Sequence, residues 1–127
     1  MRVALTSDLH VEHHPDVIPL VAERVRELAP DVLIVAGDVS PTVTMLESAL
    51  QALKQAAPRL VFVPGNHDLW CGREGSPTSR ERYETIIPAA CARITSRHRC
   101  AHEPRRISHV LHPLSAGDCA RHLAIFV

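Results

Sequence analysis

The stretch Leu60-Val61-Phe62-Val63-Pro64-Gly65-Asn66-His67-Asp68 decides the fold of this 127-residue chain. Its first four residues are apolar and partly β-branched, which predicts a short buried strand. Pro64-Gly65 then ends that strand in a turn. Three polar side chains follow at once. Because open α/β sheets bind ligands outside the carboxyl ends of their strands, this segment predicts a strand that leads into a site.

Two earlier segments have the same arrangement. Residues 2–6 form a short apolar segment that leads into Ser7-Asp8-Leu9-His10. Residues 32–35 form another, which leads into Ala36-Gly37-Asp38. Apolar residues at helical spacing lie between the strands, from Val17 to Leu28 and from Met45 to Leu53. The sequence therefore predicts an α/β fold with a β-α-β-α-β core, a parallel sheet and right-handed crossovers.

Capping signals place the helix ends. Asp16 can cap the first helix, and Pro19 fits only in a first turn. The cap of the second helix stays open among Ser40, Thr42 and Thr44. Thr78 and Glu81 have the spacing of a capping box for a third helix, which Pro88 would kink or end. Beyond about residue 93 only two short strands are predicted, at residues 106–111 and 123–127.

The polar residues at the three strand ends form a candidate metal set. Asp carboxylates, an Asn carbonyl and a His imidazole make a mixed oxygen and nitrogen set that suits Mn, Fe, Zn or Co. Each segment alone fits a plainer interpretation, in which Asp8 or Asp38 caps a helix and residues 66–68 form a turn. Their occurrence in order at three successive strand ends favours a metal site.

These motifs resemble those of the calcineurin-like metallophosphoesterases. The match lies in Asp8-Leu9-His10, Gly37-Asp38 and Gly65-Asn66-His67-Asp68, with 30 positions from Asp8 to Asp38 and 28 from Asp38 to Asn66. It covers residues 1–92, which would form the first half of the family's α/β/β/α sandwich. The implied function is hydrolysis of a phosphate mono- or diester by a water that two divalent metal ions activate.

The resemblance also implies roles for the site residues. Asp8 and His10 bind the first metal, Asp38 bridges both metals, and Asn66 binds the second. His67 lies over the substrate phosphate and donates to the leaving oxygen, a contribution of about 10²–10⁴ in rate. Asp68 completes the catalytic pair by orienting His67 or by supporting the loop.

The chain departs from the family after residue 92. The family supplies further histidines in a Gly-His pair and a Gly-His-x-His segment, and no histidine of this chain follows a glycine. We therefore expect a truncated fold, impaired activity, and an uncovered sheet face that is a candidate surface for self-association. Residues 93–127 are expected to be a divergent tail. Thirteen Arg against one Lys motivates the hypothesis that a frameshift produced it. The alternative function is a non-catalytic metal-binding or interaction module.

Composition bounds the remaining classes of function. Lys+Arg and Asp+Glu both number 14, so net charge gives no reason to expect a membrane or nucleic-acid partner beyond a possible substrate. An Arg-rich tail without a reader motif makes a nucleic-acid binder the weakest hypothesis. There is no secretory signal and no membrane span, which predicts a cytoplasmic protein. Four cysteines without Cys-x-x-Cys spacing predict free thiols.

Overall fold

The computed structural model describes residues 1–72, 77–96 and 125–126. Strands β1 (Val3–Thr6), β2 (Val32–Ala36) and β3 (Leu60–Val63) pair in parallel and in sequence order. Strand β4 (Ile125–Phe126) adds antiparallel to β3. The predicted parallel core is confirmed. The predicted strand at residues 123–127 is present in part as β4, and the one at residues 106–111 lies outside the described residues.

Helices α1 (Val17–Leu28) and α2 (Val43–Lys54) connect these strands. Helices α1 and α2 pack against each other and share one core with the sheet, as right-handed crossovers in the order β1-β2-β3 would arrange them. The sheet contributes alternate side chains to the face that the helices cover, because strand residues point to opposite sides in turn. The resulting core joins residues of β2 and β3 to one stripe of each helix, among them Leu33, Phe62, Val25 and Leu50.

The first two helices begin at predicted cap residues, but those residues make no side-chain capping hydrogen bond. Asp16 occupies the N-cap position of α1 but its side chain makes no capping hydrogen bond, and Thr42 stands likewise before α2. Ser40 instead accepts a hydrogen bond from the backbone of Thr42 at 3.1 Å. The predicted cap at Thr78 is confirmed, since its hydroxyl accepts from the backbone N–H of Glu81 at 3.1 Å.

The third helical region continues through Pro88. It comprises α3 (Ser79–Glu81), a π-helical turn (Arg82–Ile86) and α4 (Ile87–Ser96). Of the two expectations for Pro88, a kink or an end of the helix, the end is wrong, because α4 continues to Ser96. A proline in a helix lacks an N–H and crowds the carbonyl four residues earlier, and the wider π-turn lies where that crowding would fall. Helix α4 crosses the predicted boundary at residue 92 and packs against α2, where Arg93 donates to Glu47 at 3.0 Å.

The other face of the sheet is open at its β1 edge. Val3 is 52% exposed and Leu5 is 69% exposed, and the register sets Leu5 beside Ile34 and Ile34 beside Val61 on that same face. Among the described residues, no helix is long and apolar enough to cross a membrane.

Candidate active site

The loops after β1 and β2 stay paired beyond the ends of the strands. The backbone N–H of Asp8 donates to the carbonyl of Gly37 at 3.2 Å, and that of His10 donates to the carbonyl of Asp38 at 3.0 Å. A third bond joins Val11 to Val39 at 3.0 Å. These bonds hold Asp8 and His10 beside Asp38, so residues 30 positions apart in sequence share one site.

Three predicted metal ligands have left-handed backbone conformations. The φ angle is 55° at Asp8, 42° at His10 and 54° at Asp38. Asp and His tolerate this region better than most residues, yet each such position costs roughly 1 kcal/mol or more. Strain of this kind persists where the surrounding structure imposes it, which is frequent at functional sites. Here it falls on three of the six residues that the motifs single out.

Two glycines allow the second and third loops to touch. A Cβ on Gly37, where φ is 76°, would lie 2.6 Å from both Cα and N of Gly65. A Cβ on Gly65 would lie 2.4 Å from Oδ1 of Asp38. Only glycine fits at these positions, because real side chains do not approach so closely. The close approach brings the Gly65 loop against the Asp38 carboxylate.

Asp8, His10 and Asp38 form a group that could hold a metal ion. One ligand atom from each, a carboxylate oxygen or an imidazole nitrogen, lies within 4.8 Å of the others. Two carboxylates and one imidazole suit a borderline divalent cation such as Mn, Fe, Zn or Co. The donor set and its imposed backbone geometry therefore fit the metal that the sequence predicts.

The buried carboxylate of Asp68 joins the second and third loops. The Asp68 side chain is fully buried. Its Oδ2 accepts hydrogen bonds from the backbone N–H groups of Asp38 and Gly65, both at 2.9 Å. Its Oδ1 accepts from the backbone N–H groups of Val39 at 2.8 Å and Ser40 at 2.9 Å. Burial raises the pKa of Asp68, although the four N–H donors act in the opposite direction. All four hydrogen bonds come from loop backbone. They favour a role for Asp68 in supporting the loops over a role in orienting His67.

Arg82 ties the third helical region to the same loops. Its side chain is buried, with the guanidinium donating to the carbonyl of Asp68 at 2.9 Å and to the carbonyl of Pro41. A buried arginine is costly unless it is well hydrogen-bonded, so these two acceptors account for its burial. Nothing in the local sequence marks this arginine, because its acceptors are distant in sequence.

His67 is held from several sides. Its backbone N–H donates to Oδ1 of Asp38 at 2.8 Å, and its Nε2 lies 2.5 Å from Oε1 of Glu12. The imidazole packs edge-on against His10, with ring centroids 4.7 Å apart, and against Trp70 at 4.5 Å. His67 is 9% exposed. The predicted catalytic histidine thus lies next to the candidate metal ligands in a defined orientation.

Glu12 is a site residue that the sequence analysis missed. Its Oε1 also lies 3.7 Å from Nδ1 of His10 and 3.8 Å from Nε2 of His13. Burial raises the pKa of Glu12, but a hydrogen bond from its own backbone, the hydrogen bond to His67 and the charges of His67 and His13 together hold that pKa below its ordinary value. The alternation Asp8-x-His10-x-Glu12 was the available signal. His10, Glu12 and His67 form a second group able to hold a metal ion.

The structure thus brings together Asp8, His10, Asp38, His67 and Asp68. Asn66 lies in the same loop and is exposed. Its backbone carbonyl accepts a hydrogen bond from the backbone N–H of Leu69 at 3.2 Å. The downstream histidines lie outside the described residues: His98, His102, His109, His112 and His122.

A cluster of carboxylates and imidazoles at the carboxyl ends of parallel strands is the arrangement expected of a metal-dependent α/β enzyme. The family model described as calcineurin-like phosphoesterase matches residues 1–115 of this chain. The chain therefore belongs to the calcineurin-like phosphoesterases, a family of metal-dependent hydrolases.

Two curated proteins are similar to parts of the chain. The [acyl-carrier-protein] phosphodiesterase PptH of Mycobacterium tuberculosis is 40% identical over 84 residues, which cover 64% of this chain and 25% of that protein. A transmembrane protein with metallophosphoesterase domain from Danio rerio is 38% identical over 77 residues, covering 55% of this chain and 17% of that protein.

A solved structure has the same fold over the matched part. The crystal structure of phosphopantetheinyl hydrolase (PptH) from M. tuberculosis superposes with a TM-score of 0.54 and 30% identity, covering 73% of this chain and 33% of that one. The chain therefore spans a third or less of the length of each of these relatives.

Proposed function

We propose that this chain is a metal-dependent phosphoesterase domain that hydrolyses phosphate mono- or diesters. One observation carries the proposal: the ligand atoms of Asp8, His10 and Asp38 lie within 4.8 Å of one another at the ends of adjacent parallel strands. Membership of the calcineurin-like phosphoesterases supports the reaction class.

Two divalent ions are the proposed cofactors, as the family resemblance implies. Asp8 and His10 would bind the first ion, Asp38 both ions, and Asn66 the second. Bound there, the ions would supply Lewis acidity that acidifies water and neutralises phosphoryl charge. Mn, Fe, Zn and Co all suit the donor set.

His67 would serve as the proton donor to the leaving oxygen through Nδ1, because its Nε2 faces the Glu12 carboxylate. The Glu12 carboxylate accepts from its Nε2, and the Asp38 carboxylate accepts from its backbone N–H, so both the ring and the loop are fixed. Asp68 would act indirectly, because its carboxylate binds backbone N–H groups on both loops that carry Asp38 and His67. A fixed imidazole contributes more to proton transfer than a mobile one does.

A phosphodiester is the first substrate to test. The PptH relative is named as a phosphodiesterase acting on acyl-carrier protein, and it is 40% identical to this chain over 84 residues. The matched portion is a quarter of that protein, so a simple aryl diester is a better probe than a carrier protein.

We further propose that the chain is impaired. Asp8, His10 and Asp38 give the first ion three protein ligands, whereas Asp38 and Asn66 give the second only two. Since no histidine of the chain follows a glycine, the family's downstream ligand motifs are missing from it. We expect about one tightly bound ion, slow or absent hydrolysis, and self-association through the sheet face that exposes Val3 and Leu5.

One combined measurement tests the function. Metal content is measured after purification without chelator, together with hydrolysis of bis(p-nitrophenyl) phosphate and p-nitrophenyl phosphate. Metal-dependent turnover that disappears in Asp8→Ala supports an enzyme. Stoichiometric metal without turnover supports the alternative of a non-catalytic metal-binding module. A chain that binds no divalent metal would contradict both. A cytoplasmic location stays a proposal that cell fractionation would test.

A further inference from the structure

Trp70 is an exposed aromatic side chain at the candidate active site. It is the single tryptophan of the chain and is 60% exposed, while its indole lies 4.5 Å from the His67 ring at an angle of 51°. Its backbone N–H donates to the carbonyl of His67 at 3.2 Å, which closes a tight turn. The preceding Leu69 packs against the hydrophobic core. The turn therefore fixes Trp70 while leaving much of its indole available.

We propose that the Trp70 indole binds the leaving group of the phosphoester and favours esters whose leaving group is aromatic. This inference rests on the proposed function, because it takes the phosphoryl group to lie at the Asp8, His10 and Asp38 cluster. It adds a specificity-determining residue that neither the sequence motifs nor the roles proposed above include.

The contacts of His67 indicate why the leaving group would lie next to Trp70. The His67 ring touches His10, which belongs to the metal-ligand cluster, and it also touches Trp70. The leaving oxygen must lie within hydrogen-bond reach of His67 if that imidazole protonates it. The carbon of the leaving group is one covalent bond further from phosphorus, so it must enter the space beside His67. Trp70 is the exposed aromatic residue beside His67 among the residues that the structure describes.

An indole at that position would discriminate by stacking. Aromatic groups stack on tryptophan through dispersion and through burial of apolar surface, and they do so without a specific hydrogen-bond pattern. Stacking on one aromatic side chain strengthens binding by roughly fivefold or more. A small aliphatic leaving group would gain little from the same contact.

Phenylphosphonate and methylphosphonate are suitable probes, because they share a non-hydrolysable anionic head and differ in the ring. Both are titrated into the zinc-loaded 127-residue chain by calorimetry. The single tryptophan is observed by fluorescence at the same time, with excitation at a wavelength that the phenyl ring does not absorb. We expect phenylphosphonate to bind at least about fivefold more tightly than methylphosphonate and to change Trp70 emission saturably.

Two variants separate stacking from other causes. Trp70→Ala should bring the affinity ratio of the two probes close to one, and Trp70→Phe should restore part of it. Leu20→Ala is the matched control, since Leu20 is a large apolar residue that is 64% exposed on α1. It should keep the wild-type ratio. If the chain binds zinc but binds phenylphosphonate and methylphosphonate equally tightly, the role of Trp70 is overturned and the proposed function stays intact. An affinity ratio of the two probes that is unchanged in Trp70→Ala would lead to the same conclusion. Failure of the wild-type chain to bind zinc would count against the proposed function, and unchanged Trp70 emission on adding phenylphosphonate would then overturn the Trp70 proposal as well.

Discussion

Oε1 of Glu12 lies 2.5 Å from Nε2 of His67, although the two residues are 55 positions apart in sequence. The Glu12 side chain is 17% exposed, and its other carboxylate oxygen is buried and has no hydrogen-bond partner among the described residues. A buried carboxylate that is committed to an imidazole fixes the tautomer and the orientation of that ring. Glu12 is therefore a positioning residue for His67 in the proposed reaction.

His67→Ala should reduce turnover without removing metal. Where turnover of the wild-type chain is measurable, loss of this proposed proton donor should lower kcat by about 10²–10⁴. Metal content should stay at the wild-type level, because the family resemblance assigns the ligand roles to Asp8, His10, Asp38 and Asn66. His13→Ala is the control, since the His13 side chain lies near the same Glu12 oxygen but is 70% exposed. Loss of metal in His67→Ala would mean that His67 is a ligand.

Glu12→Gln should lower kcat and leave KM nearly unchanged. The amide has nearly the shape of the carboxylate but is a weaker acceptor, so the His67 ring would be held less firmly. Loss of a residue that orients a catalytic group typically costs about tenfold or more. Steady-state kinetics with an aryl diester measure kcat and KM. Glu12→Asp should also be less active than wild type, because the aspartate side chain is shorter and holds the His67 ring less well. A change in KM alone would argue against positioning.

Asp38→Ala should weaken binding of both metal ions, whereas Asn66→Ala should weaken mainly one. Asp38 is expected to bridge the ions, and its Oδ1 also accepts from the backbone of His67 at 2.8 Å. Calorimetric titration with Zn or Mn distinguishes the two variants, because Asp38→Ala should weaken the one tight site whereas Asn66→Ala should leave that site nearly unchanged. Unchanged binding in Asp38→Ala would remove the bridging role.

Gly65→Ala should lower metal affinity by tenfold or more without disrupting the strands. The new Cβ would lie 2.4 Å from Oδ1 of Asp38 and 2.7 Å from its backbone nitrogen, so both the carboxylate and the loop backbone must move. Displacement of a ligand by even a fraction of an ångström weakens coordination. Circular dichroism of the metal-free variant checks that the fold persists, and a wild-type affinity would show that the loop absorbs the methyl group.

Sequence reasoning worked best where local chemistry determines structure. The apolar runs of β2 and β3 and the Gly-Asp and Gly-Asn turns after them were found because burial and glycine leave a local pattern. Parallel pairing then determined that Asp8, His10 and Asp38 converge. The Thr78 cap was found for the same reason, because its hydrogen bond spans only three residues.

Long-range polar contacts were not predictable in this way. Glu12 reaches His67 across 55 positions, and Arg82 reaches Pro41 across 41, with no local periodicity to mark either residue. The π-turn before Pro88 was missed as well. The sequence predicted a kink or an end at Pro88, whereas the helix continues into α4, which packs against α2.

The buried thiol of Cys91 should make the fold less stable at alkaline pH. Cys91 is 1% exposed on α4, where burial, and then the charge of Glu47, raise its pKa from 9.0 to about 11, with Arg93 acting in the opposite direction. The folded pKa lies above the unfolded one, so the full contribution of the neutral thiol to stability is present below about pH 9 and is lost as pH rises through about 11. A shift of this size corresponds to about 2–3 kcal/mol.

Denaturant unfolding of wild type and Cys91→Ala at pH 8 and near pH 11 measures this loss. Other groups also titrate in that range, so the relevant quantity is the difference in unfolding free energy between the two proteins. Wild type should be the more stable at pH 8, because the sulfur fills the core, and that advantage should shrink by about 2–3 kcal/mol near pH 11. Cys71→Ala is the control for replacing a cysteine at an exposed position. A constant difference for Cys91→Ala across the range would mean that the thiolate forms as readily in the folded chain as in the unfolded one.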